Sequence, residues 1–152
     1  MDNGDRKVEG FTLIEILLTL GILLIIATLV FPITLQRAQR SKLESYANQL
    51  TIDLYYQQQR SSLKEIPSGI NIDSNGYTLF DGESLSTASE TQVKTYPANI
   101  SINSVSLTSG SEILFPAGKF KPSIYGTLVI TDGQYSALIY INREGLIGYE
   151  IL

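Results

Sequence analysis

The stretch that decides the fold is Gly10-Phe11-Thr12-Leu13-Ile14-Glu15 and the run that continues it, ILLTLGILLIIATLVF, to Phe31. Of the 21 residues from Phe11 to Phe31, 16 are apolar, and Glu15 is the only ionisable one. A helix of that length spans roughly 31 Å, about the hydrocarbon thickness of a bilayer. A helix apolar on every side is either a deep core helix or a membrane span. The other residues of a 152-residue chain are too few to enclose it, so the run reads as a span. A cleavable secretory signal has a shorter apolar core and a small-residue cleavage site; here Pro32, Ile33 and Thr34 follow instead.

Outward from the run, the first ten residues, MDNGDRKVEG, form a short polar leader. On the other side Pro32 removes one backbone donor and crowds the carbonyl of Thr28, which kinks a helix without having to end it. Leu35, Leu43, Tyr46, Ala47, Leu50 and Leu54 then recur close to 3.6 spacing. Arg37, Arg40, Lys42, Glu44, Gln49 and Gln57 fill most of the opposite side, as in an amphipathic helix. Pro67-Ser68-Gly69 is a breaker cluster, so one helix of roughly 55 residues, about 80 Å long, is expected from residue 11 to about 65. Past Pro67 the texture becomes that of strands and turns. Candidate strands are 70–73, 77–80, 92–96, 99–103, 112–115, 125–131, 134–142 and 146–151. Asn75-Gly76, Asp132-Gly133 and Arg143-Glu144-Gly145 carry the turn signals. The Ser/Thr-rich stretches 84–91 and 101–111 read as exposed loops or strands with a polar face. The expected class is α+β: a long N-terminal helix, membrane-spanning in its first half, packed on a small antiparallel β-sheet domain. The divisions are a leader over 1–10, a span over 11–31, an amphipathic half over 32–66 and the β domain over 67–152.

Composition narrows the chemistry. The chain is 43% hydrophobic and 17% charged, with net charge −4 and no Cys or His. That excludes disulfides, thiolate metal sites and His-based nucleophilic catalysis. A net acidic chain is poorly suited to broad nucleic-acid binding. No enzyme activity, cofactor or metal is expected. Asp73-Ser74-Asn75-Gly76 offers oxygen ligands but too few for calcium, and reads as a turn. Asn99-Ile100-Ser101 is a glycosylation sequon by pattern only. Tyr46, Tyr55 and Tyr56 read as the seam between helix and sheet.

The string Gly10–Glu15, placed where a polar leader meets an apolar span, resembles the processing site of the type IV pilin and pseudopilin superfamily. Gly21 and Pro32 fall where that family often has a helix-softening Gly and a kink Pro. A long helix followed by a small antiparallel sheet matches its lollipop architecture. The resemblance implies that a prepilin peptidase cuts between Gly10 and Phe11 and methylates the new amine of Phe11. It implies assembly with other pilins through the N-terminal helix, on an inner-membrane assembly platform, with Glu15 of one subunit pairing with the Phe11 amine of another. The domain after the span would lie outside the cytoplasm, first anchored in the lipid bilayer and then in a filament. Glu15 taken alone has another reading, a carboxylate snorkelling to the headgroups. The leader is acidic overall, and Arg37, Arg40 and Lys42 flank the far end of the span. The positive-inside rule therefore does not itself orient the chain; the processing site does.

The tail, with Phe115-Pro116-Ala117-Gly118, Gly126-Thr127-Leu128-Val129-Ile130 and Gly145-Leu146-Ile147-Gly148, resembles the H-type minor pseudopilins, a group that includes minor pilins used for DNA uptake. The expected function is that of a minor pilin or pseudopilin in a type II secretion or type IV pilus-like filament. One alternative is a DNA-binding minor pilin of a competence system. Its candidate contacts are Lys119, Phe120 and Lys121, two cations flanking an aromatic, which also read as an ordinary solvated loop. A further alternative is an unrelated membrane-anchored binding or sensor domain.

Overall fold

The computed structural model describes residues 11–152, apart from the side chains of residues 29–33. The leader 1–10, with Gly10, lies outside the described residues. Helix α1 (Leu13–Lys64) is followed by eight strands. These are β1 (Ser68–Asp73), β2 (Gly76–Asp81), β3 (Glu90–Thr95), β4 (Ser101–Leu107), β5 (Glu112–Phe115), β6 (Gly126–Thr131), β7 (Ser136–Ile141) and β8 (Ile147–Ile151). All eight expected strands form, with shifted ends. They make two antiparallel four-stranded sheets, β3-β2-β1-β5 and β4-β6-β7-β8, where a single small sheet was expected. The chain divides into two compact units, residues 1–39 and residues 40–152.

In the second unit the helix and both sheets share one core. Leu43, Ala47, Leu50 and Leu54, spaced four, three and four apart, are fully buried. Against them pack Ile70, Tyr77, Leu79, Ile113 and Phe115 of the first sheet, and Leu128, Ile130, Ala137, Ile139 and Ile141 of the second. Strand alternation supplies the second set, since alternate residues of β6 and of β7 point inward.

Past Leu54 the buried face of the helix turns polar. Gln57 was expected on the solvent side, but it is only 2% exposed, and Gln58 and Ser61 are buried with it. What lies opposite is backbone of β5 and of the following loop, together with the Ser68 side chain of β1. Ser68 Oγ donates to the Gln57 backbone carbonyl at 2.8 Å, Ser61 Oγ donates to the Phe115 carbonyl at 3.0 Å, and the Gly118 amide donates to the Ser61 carbonyl at 3.0 Å. Buried carbonyls need partners, and the Ser61 hydroxyl supplies one. The helix ends at Lys64, and Glu65 takes the left-handed conformation, φ 56°, that usually favours Gly or Asn. Pro67 prevents continuation.

The tyrosines divide. Tyr46 sits in the seam, edge-on to Tyr96 at a centroid distance of 5.4 Å. Tyr55 reaches β8, its hydroxyl donating to the Ile147 carbonyl at 2.7 Å. Tyr56 is 53% exposed and lies outside the seam, correcting the expectation from sequence, because it projects from the helix face opposite Leu54 and Gln58. The first hairpin loop is Ser74-Asn75, one residue earlier than the Asn-Gly signal suggested. Gly76 opens β2 at φ 154°, where any side chain would collide with the Lys94 carbonyl of β3.

A carboxylate closes the seam. Asp53 is buried without an ion-pair partner among the described residues; it accepts hydrogen bonds from Tyr77 Oη at 2.6 Å and Gln49 Nε2 at 3.2 Å. Burial first, and then the bond to Asp53, push the Tyr77 phenol far above its ordinary value. Burial and the Asp53 charge do the same to Tyr96. Both phenols bind their protons more tightly folded than unfolded. Their contribution is therefore fully present below a pH of about 10, the unfolded tyrosine value, and is lost as pH rises beyond it. An absorbance titration of the full chain in detergent micelles, followed together with circular dichroism, tests this. Two of the nine tyrosines should ionise only with loss of the native circular dichroism. Tyr77→Phe leaves Asp53 with one donor and should cost about 1–3 kcal/mol in urea unfolding; an unchanged midpoint would refute the assignment.

Candidate assembly site at the helix N-terminus

The first unit holds Phe11, Glu15 and Gly21. The first helical turn needs hydrogen-bond partners for amides that have no carbonyl four residues earlier. Thr12-Leu13-Ile14-Glu15 supplies them reciprocally. The Glu15 amide donates to Thr12 Oγ1 at 3.3 Å, and the Glu15 carboxylate accepts from the Thr12 amide and from Thr12 Oγ1, each at 2.9 Å. This is a capping box. It gives the lone acid of the apolar run a local partner, and a carboxylate is also favoured at a helix N-terminus by the peptide dipoles. The spacing Thr-x-x-Glu was the sequence signal for it, and reading Glu15 only as a membrane charge passed over it.

The flanks of the box are bare. Phe11 is 84% exposed, and Leu13, Ile14, Leu17, Leu18, Leu20 and Ile22 to Ile26 are exposed large apolar residues. Phe11 and Glu15 line one shallow hollow with Ile16 and Thr19. Within the apolar run the hydroxyls are satisfied by the helix itself: Thr19 Oγ1 donates to the Ile16 carbonyl at 2.9 Å and Thr28 Oγ1 to the Ile25 carbonyl at 2.8 Å. Among the described residues no helix is long and apolar enough to cross a membrane. The fully described part of the run stops at Thr28, ahead of residues 29–33.

Among the described residues an added Cβ at Gly21 would meet nothing within 4 Å, so packing against them does not require Gly there. In a helix interior Gly costs roughly 0.5–1 kcal/mol relative to Ala. The helix assignment runs through Pro32 without a break, but its side chain lies outside the described residues, as does any kink it produces.

The candidate nucleic-acid contact lies in the second unit. Lys119 is exposed and Phe120 half-exposed. Lys121 forms an ion pair with Glu144, and this pairing holds the Glu144 carboxyl below its ordinary range. Asp73 accepts from the Ser74 amide at 2.7 Å, in keeping with the turn read from the sequence.

Two comparisons bear on this geometry. The profile of the Prokaryotic N-terminal methylation motif matches residues 5–31, which covers the capping box and the apolar run. The fold is similar to that in the crystal structure of the type IV minor pilin FimU from Pseudomonas aeruginosa. The TM-score is 0.55 with 18% identity, over 73% of this chain and 90% of that one. No curated protein sequence matches the chain. At that identity the likeness speaks for the fold, while the motif match speaks for the N-terminus.

Thr12→Val removes the hydroxyl from the box and should weaken the first turn by about 0.5–2 kcal/mol. Faster amide exchange at Ile14 to Leu17, measured by NMR in micelles, is the expected reading. Exchange equal to the parent chain would show that the box does not hold the helix start.

Proposed function

We propose that this chain, which carries the methylation motif and the fold of type IV pilins, is a minor pilin or pseudopilin. Such chains are structural subunits and not enzymes, so its chemistry is done to it. A prepilin peptidase cuts between Gly10 and Phe11 and methylates the amine of Phe11. Residues 11–31 hold the mature chain in the inner membrane as a single span, with the β domain outside the cytoplasm. An assembly platform then moves it into a short filament of the secretion or pilus kind.

The observation that carries this reading is Glu15 in its capping box. A carboxylate in the middle of a bilayer costs about 2.5–3.5 kcal/mol on insertion scales. Set one turn into the run and bonded twice to Thr12, it is tolerated in the monomer. Cleavage then creates a cation on Phe11, and methylation keeps the charge while making the amine more apolar. The Phe11 amine of a neighbouring subunit offers Glu15 a charge-assisted hydrogen bond, stronger than the neutral donors of Thr12. In lipid that difference grows, because the effective dielectric is low. Glu15 thus changes from a local cap to an intersubunit contact, and the exchange sets the axial register of neighbouring helices. Gly21, which no contact among the described residues requires, and Pro32 let the helix bend as it packs. The DNA-uptake reading draws on fewer charges than the sequence suggested, because Lys121 is paired with Glu144 and few phosphate contacts remain available.

Intact mass of the chain purified from its native membrane tests the processing step. A chain starting at Phe11 with one added methyl is expected, and a full-length chain would overturn the reading. Gly10→Val should leave the precursor uncut; a normal precursor-to-mature ratio would count against the site. Glu15→Ala should be processed as usual yet drop out of sheared filaments, and incorporation at the parental level would refute the exchange.

A further inference from the structure

The loop after β5 and the loop between β7 and β8 are locked together on the surface of the second unit. Gln58, fully buried on α1, donates both amide hydrogens across the gap, to the Phe120 carbonyl at 3.0 Å and the Gly145 carbonyl at 2.7 Å. Gly145 sits at φ 87°, and a Cβ there would lie 2.8 Å from Gln58 Nε2 and 2.9 Å from the Phe120 carbonyl oxygen. Only glycine therefore lets the two loops close on one another. Asn142 Oδ1 holds the second loop by accepting from the Glu144 amide at 2.9 Å and the Leu146 amide at 2.8 Å. The Lys121–Glu144 ion pair spans the loops from outside.

These devices hold the backbone and leave its apolar side chains in water. Phe120 is 51% exposed and Leu146 is 56% exposed. The Phe120 ring lies against Gly145, 3.3 Å from where a Cβ would stand, which brings Phe120 beside the residue preceding Leu146. Lys119 and Arg143 flank the pair and are exposed. An apolar centre with a cationic rim, on backbone that needs no further ordering, has the composition of a protein interface and a low entropy cost of binding.

We propose that Phe120 and Leu146, rimmed by Lys119 and Arg143, form a docking surface for a neighbouring filament subunit that presents an apolar cleft edged with carboxylates. The proposal rests on the reading of the chain as a filament subunit. Charge argues for that occupant. Nucleic acid is disfavoured. Lys121 is neutralised, Leu146 offers no ring for stacking, and part of the Phe120 ring is covered by Gly145. The cationic rim on a chain of net charge −4 calls for a partner surface of opposite sign.

The test places p-benzoylphenylalanine at position 120, and separately at 146, in the full chain in its native cells. After irradiation, the expected adduct joins this chain to a second polypeptide whose N-terminal residue is methylated, identified by mass spectrometry. Lys119→Glu combined with Arg143→Glu should lower its yield about tenfold, equivalent to roughly 1.4 kcal/mol. If that pair fails to fold by circular dichroism, Leu146→Ser read from position 120 serves instead. Adducts with DNA or lipid, or no adduct while the mature methylated chain still enters filaments, would overturn the docking surface and leave the filament reading intact. An unprocessed chain would remove both.

Discussion

The face of α1 that runs from Leu43 to Ser61 is the surface on which the rest of the second unit is assembled. Leu43, Ala47, Leu50 and Leu54 present no polar atoms, so the inward rows of both sheets can close on them without leaving a donor or acceptor unpaired. One turn further on, the same face presents Gln57, Gln58 and Ser61, and hydrogen bonds to strand ends and loop backbone close on it. The change from leucine to polar residues along one helix face marks where apolar packing gives way to hydrogen bonding. It also positions Phe120 and Gly145, because both hang by their carbonyls from Gln58.

The polar groups of the two units are handled differently. In the apolar run the hydroxyls and the carboxylate bond locally: Thr12 with Glu15, Thr19 with Ile16, Thr28 with Ile25. Each partner lies three residues away, which suits a segment proposed to wait in lipid. In the second unit the polar contacts reach far along the chain. Asp53 bonds Tyr77, Arg60 pairs with Asp81 and with Glu90, and Gln58 holds two loops. Such contacts fix the register of helix against sheets, since a slip by one residue would bury Asp53 without its donor.

Much of this was legible beforehand. The apolar run with its single acid, the amphipathic spacing after Pro32, the stop at Pro67 and all eight strands follow from periodicity and turn chemistry. The misreadings share a cause. Gln57 looked solvent-facing and Tyr56 looked buried because side-chain type stood in for environment. Gln57 lies on the helix face that β1 closes over, where Ser68 bonds its backbone carbonyl, and that contact exists only once the strand has folded back. The split into two sheets was illegible because strand order is set by pairing between distant segments, as where β4 pairs β6 and β1 pairs β5.

The sequence by itself determined the order of the parts: a leader, an apolar run interrupted by one carboxylate, an amphipathic continuation, and eight short strands. It could do so because helix and strand periods, caps and breakers act over a few residues. It also determined the cap at Glu15, whose partner is three positions away. The tertiary structure alone decided which polar groups are buried together, that Lys121 is paired, and that Phe120 lies against Gly145. Those depend on contacts between residues far apart in the chain, 23 positions for Lys121 with Glu144 and 87 for Gln58 with Gly145, and no local pattern encodes a contact at that range.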